Sequence, residues 1–85
     1  MQYAIAVFKS RNETLFFANF LRNNGIMTAV VNTPKEAGGA CGISVKFPLE
    51  SLSAVKGALA RRGSTSFVDF LKVTDMGVRK AYEKI

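Results

Sequence analysis

The chain contains no histidine, and it has one cysteine and two prolines in 85 residues. Without histidine, neither a Ser/His/Asp nor a Cys/His catalytic group can be assembled within one chain, and most transition-metal sites lose their commonest ligand. A single cysteine cannot close an internal disulfide or furnish a zinc site. Neither a metal nor a cofactor is therefore expected. Long apolar runs are also missing. The longest is Tyr3 to Phe8, far short of the roughly 20 residues a membrane-spanning helix needs. It also lacks the basic leader and longer apolar stretch of a signal peptide. A cytoplasmic location, away from membranes, is the expectation.

Acidic residues are scarce, six against twelve basic ones, which gives a net charge of +6 and a pI near 9.9. Such a balance admits an anionic partner: nucleic acid, a phosphorylated metabolite or an acidic protein surface. Apolar residues make up 48% and charged residues 21%, the composition of a globular domain rather than a disordered chain.

Gln2 to Lys9 reads as a strand, and its near-continuous apolar run suggests burial on both faces. Ser10, with Glu13 three residues on, forms a capping box that starts a helix ending near Asn24, with Gly25 as its C′ residue. Met27 to Asn32 is a second strand and Thr33 to Gly42 a loop. Ile43, Val45 and Phe47 alternate with Ser44 and Lys46 in a third strand. Pro48 begins a second helix that runs to Arg62, with Leu52, Val55 and Leu59 on one side and Gly63 closing it. Ser66 to Val73 is a fourth strand, and Asp75 caps a short C-terminal helix. The order β-α-β-β-α-β predicts an α+β, ferredoxin-like sandwich, with a four-stranded antiparallel sheet and two helices on one face. The division expected is a domain over residues 1–73 and a helical tail over 74–85.

The first helix carries two stripes. Thr14, Phe17, Ala18 and Leu21 face the core, while Phe16 and Phe20 form a second aromatic pair. The tail carries Val78, Ala81, Tyr82 and Ile85 at helical spacing. Phe16, Phe20, Val78 and Tyr82 are covered either by the domain's own segments or by a partner, and a homo-oligomer is expected.

Chemistry concentrates in the Thr33–Gly42 loop. Cys41 lies between Ala40 and Gly42, whose small size leaves a thiol open to another protein's sulfur. Gly38, Gly39 and Gly42 can turn backbone N–H groups toward an anion, and Lys35 adds positive charge that favours a thiolate, the nucleophilic form. A lone cysteine is equally at home as a small buried apolar residue, and on the residues alone both readings stand. The glycines match neither a P-loop nor a dinucleotide fingerprint.

Thr33-Pro34-Lys35-Glu36, then Cys41-Gly42 and Ser44-Val45-Lys46-Phe47, resembles the signature of a small bacterial family of sulfur/selenium carrier-like domains of unknown function. Phe8-Lys9-Ser10 and Gly25-Ile26 look like that family too, and the likeness spans roughly Tyr3 to Val73. The resemblance implies a carrier that holds sulfur or selenium on one cysteine, here Cys41, as a persulfide or selenosulfide and passes it between donor and acceptor proteins. Such a protein is a carrier rather than an enzyme with turnover. Thr33, Pro34, Lys35 and Glu36 match the loop before that cysteine. Gly38, Gly39 and Ala40 depart from the small polar residues expected there and remove hydroxyls that could hold a thiolate.

Two other readings compete. A small-ligand or regulatory module would grip an anion or metabolite with Lys35 and the glycines, without thiol chemistry, as a homo-oligomer. Nucleic-acid binding is disfavoured because the third strand, Ile43 to Phe47, lacks the basic-Gly-aromatic pattern of RNA-recognition sheets.

Overall fold

Every residue from Ala4 to Phe8 is buried, which a strand achieves at the centre of a sheet covered on both faces. The computed structural model, which describes residues 1–38 and 41–85, places this strand, β1 (Gln2–Phe8), in the middle of five. It is followed by α1 (Arg11–Asn23), β2 (Ala29–Asn32), β3 (Ile43–Phe47), α2 (Leu52–Arg62), β4 (Phe67–Asp75) and β5 (Lys80–Lys84). The sheet order is β2-β3-β1-β4-β5, with every neighbouring pair antiparallel.

Alternation along β1 divides the core. Ala4, Ala6 and Phe8 meet Phe17, Ala18 and Leu21 of α1 and Val55 and Ala58 of α2, so both helices lie on one face. Ile5 and Val7 join Leu71 and Val73 on the other face, where Tyr3, Val31, Ala37 and Tyr82 pack over them. The helix face is dense in aromatic rings: Phe8 stands 5.2 Å from Phe17 and Phe67 stands 4.7 Å from Phe70 between centroids.

The start and stop of α1 follow the sequence signals. Ser10 is its N-cap and accepts a hydrogen bond from the Glu13 N–H. At the other end Gly25 adopts a φ of 79°. The Gly25 N–H donates to Arg22 and the Ile26 N–H to Leu21, the paired bonds of a Schellman cap. The buried positions of α1 are Thr14, Phe17, Ala18 and Leu21, the stripe expected. No helix among the described residues is long and apolar enough to cross a membrane.

Two expectations are corrected. The sheet has five strands, not four, and residues 80–84 form β5 rather than a short C-terminal helix. Asp75 does not cap a helix. Its carboxylate accepts the Gly77 N–H at 2.9 Å, Gly77 takes a φ of 87° and the Met76 N–H donates to Arg79, which together turn the chain back as a hairpin. The helix-compatible segment Lys80–Lys84 is held extended by the edge of β4, where Tyr82 pairs with Val73 and Lys72 meets Glu83 at 3.2 Å. Long-range pairing overrides local propensity.

Candidate functional site

The connection between β2 and β3 is tied at its base. The Thr33 N–H donates to the Gly42 carbonyl at 3.0 Å, and the Thr33 and Ser44 hydroxyls lie 2.7 Å apart, with Ser44 fully buried. Pro34 then leads into a single 3-10 turn, Lys35–Ala37. The Ala37 N–H donates to Pro34 and the Gly38 N–H to Lys35. Gly38 ends the turn at φ 62°, a region L side chains rarely adopt. Ala37 packs against the cluster of Ile5, Val7, Leu71 and Val73. The turn therefore lies on the sheet face away from the helices, and Thr33 and Pro34 line a groove on that face.

Cys41 faces the other way. Its N–H donates to the Phe8 carbonyl at 3.4 Å, at the end of β1. Its sulfur lies 3.1 Å from the Ile43 carbonyl and 3.6 Å from Thr14 Oγ1 of α1. The residue is half-buried, neither a core side chain nor a fully open one. Thr14 is completely buried, and its hydroxyl donates to the Ser10 carbonyl at 2.9 Å. A protonated sulfur can thus donate to Ile43 while facing the Thr14 oxygen. A thiolate gives up the Ile43 bond, and the Thr14 hydroxyl can turn toward it, since the Ser10 carbonyl still accepts the Thr14 N–H. The sulfur stands beside the first turns of α1.

Glu13 is the nearby carboxylate, and its surroundings occupy it. The Ser66 and Ser64 hydroxyls, with the Arg62 charge beyond, hold its carboxyl below the usual range. Ser64 Oγ makes the aligned bond, donating at 2.8 Å. Ser66 Oγ is buried and has no hydrogen-bond partner among the described residues, so it acts on Glu13 as a neighbouring dipole rather than through a formed bond.

The structure separates the residues that the sequence grouped. Lys35 and Glu36 are exposed and form no ion pair with each other. Glu36 acts instead on Tyr82, whose phenol is pushed above its usual range first by burial and then by that carboxylate. The Gly38 N–H is spent on the turn, Gly42 contributes its carbonyl to Thr33, and Gly39 lies outside the described residues. Phe16 is 59% exposed, whereas Phe20 packs against the core beneath Arg62, 5.7 Å from its ring. Val78 is 97% exposed in the β4–β5 turn, and Tyr82 packs on the sheet face away from α1. These four do not form one patch. Sequence reasoning placed Thr14 in the core and missed its approach to Cys41. The available signal was a hydroxyl in an otherwise apolar stripe.

Residues 3–65 match the profile of a family described as Putative Se/S carrier protein-like. The match runs from β1 through α2, includes Cys41 and its loop, and ends before β4 and β5. No curated protein and no solved structure gives a significant match.

Proposed function

The chain belongs to this Se/S carrier-like family, and from that premise we propose that Cys41 is the residue that holds the chalcogen. The observation that carries the reading is that the chain's single cysteine falls inside the matched span, with a half-buried sulfur. In the transfer, the Cys41 thiolate attacks the outer sulfur of a donor persulfide. A new S–S bond forms, the donor's S–S bond breaks, and the donor leaves as a thiolate. Delivery is the reverse in form: an acceptor nucleophile takes the outer sulfur and Cys41 departs as thiolate. A selenosulfide follows the same bookkeeping of bonds.

The chain's own groups support the two states of the sulfur. The Ile43 carbonyl accepts from the resting thiol and Thr14 Oγ1 faces the thiolate. Donor and acceptor are proteins in this reading, and the net charge of +6 favours acidic surfaces around their reactive groups. The exposed Phe16 is surface that a partner or a second copy would cover. A carrier thiol needs a compartment that keeps thiols reduced, which accords with a cytoplasmic location. The order β2-β3-β1-β4 supports a ferredoxin-like core to which β5 is an addition.

The test is loading followed by delivery. Native protein exposed to glutathione persulfide is expected to gain one sulfur, about 32 Da, on intact mass. The gain is removed by dithiothreitol and absent in Cys41→Ser. The loaded protein is expected to pass the sulfur to an acceptor thiol. Absence of loading on the native protein would refute the reading.

A further inference from the structure

The sheet face away from the helices is covered by side chains and one loop turn rather than by a helix. The Lys35–Ala37 turn lies over Val7 and Leu71 at one end. Beyond it opens a groove of about 330 Å³ with a floor of Ile5, Val31 and Val73. Tyr3 and Tyr82 contribute aromatic surface, and Lys46 and Lys80 contribute charge.

We propose that this groove is a second site, independent of Cys41, that binds a small aromatic anion such as an aryl carboxylate or aryl phosphate. Each part of such a molecule has a counterpart. The half-buried Tyr3, Val31 and Tyr82 offer apolar surface to a flat body, and the two ammonium groups suit its charge. One of the lysines is held over a ring. Lys46 Nζ stands 4.3 Å from the Tyr3 centroid, a cation–π distance. Lys80 lines the groove with Tyr3, and the Tyr3 phenol first, with Asp75 after it, keeps its ammonium above the usual lysine range. Register explains the convergence, since Lys46 pairs with Ile5, Tyr3 with Val73 and Val73 with Tyr82, all on one face.

No carboxylate lines the groove among the described residues. The two nearest stand at its rim, Asp75 paired with Lys80 across the β4–β5 register and Glu36 acting on Tyr82. Asp75 also accepts the Gly77 N–H. The volume is at the small end of ligand sites, roughly 300–1,000 Å³, which fits a single-ring molecule. The turn over Val7 and Leu71 interrupts the face at one end, which leaves no continuous platform for successive nucleotide bases.

Isotope-labelled native protein titrated with benzoate and with phenyl phosphate, to about 10 mM, tests the proposal. Saturable amide shifts are expected at Ile5, Val31, Thr33, Val73 and Tyr82. Lys46→Ala and Lys80→Ala should each weaken binding by about tenfold, with Lys46→Gln and Lys80→Gln as second variants should either truncation disturb the fold. Cys41→Ser should bind as the parent chain does, which separates this site from the carrier reading. No saturable shift would overturn the proposal. So would inorganic phosphate or benzyl alcohol binding as tightly as the aryl anions, or binding that survives in both lysine variants. A single-stranded oligonucleotide that takes the face more tightly than either aryl anion would overturn it in favour of nucleic acid.

Discussion

Thr14 Oγ1 lies 3.6 Å from Cys41 Sγ although the residues are 27 positions apart and one belongs to a helix, the other to a loop. The contact gives the sulfur a hydroxyl that the three residues before it, Gly38, Gly39 and Ala40, lack. Thr14→Val keeps the shape and removes the donor. The expected result is alkylation of native Cys41 slowed by about tenfold, the value of one hydrogen bond to a charged group, with a loss of folding stability of about 1 kcal/mol. Thr14→Ser should restore the rate. Equal rates in all three proteins would show that the hydroxyl does not act on the sulfur.

Glu13 supplies a pH dependence whose sign is fixed. Its carboxyl is held below the usual range in the folded chain, first by the Ser66 and Ser64 hydroxyls and then by Arg62. The stability it contributes is therefore present above its unfolded value, about pH 4.3. That stability is lost as pH falls through the lower folded value. Urea midpoints at neutral pH and near pH 3 should fall less in Glu13→Gln than in the parent chain. An identical fall in both would remove Glu13 as a contributor.

Much of this arrangement could be read from the residues in order. Ser10 and Gly25 mark the ends of α1, its four buried positions follow the 3.6 period, and the Tyr3–Phe8 run shows that β1 is covered twice. What could not be read depends on partners distant in sequence. The spacing of Val78, Ala81, Tyr82 and Ile85 fits a helix, and only the free edge of β4 makes the segment a strand. The Thr33–Gly42 loop reads as one chemical unit, yet Thr33 and Pro34 line the groove on one sheet face while Cys41 turns toward α1 on the other. The alternation of β1 implies two faces without saying which part of the loop goes to which.

The β4–β5 hairpin rests on Gly77, whose φ of 87° lies where an L side chain is strained. Gly77→Ala is expected to cost about 1 kcal/mol or more, read as a lower Tm with earlier amide exchange in β5. An unchanged Tm would mean that the turn relaxes freely and that β5 contributes little.

The two phenylalanines of the α1 pair should behave differently. Phe16 is 59% exposed, and Phe16→Ala should change stability by no more than about 0.5 kcal/mol. Phe20 packs on the core under Arg62, and its loss should cost about 2 kcal/mol, less than a fully buried ring. Chemical denaturation of both variants at low protein concentration decides the ranking, and a larger loss for Phe16 would show that its face is covered.

A carrier role for Cys41 depends first on the folded chain presenting its sulfur to another molecule. The direct measurement is the rate of iodoacetamide modification at neutral pH, followed by intact mass, for the native protein and for the same protein unfolded in urea. The expected result is a native rate of the same order as the unfolded one, within about tenfold, as befits a half-buried thiol that does not wait for unfolding. A native rate slower by several orders of magnitude, rising only with global unfolding, would make Cys41 a structural residue and contradict its role as the carrier.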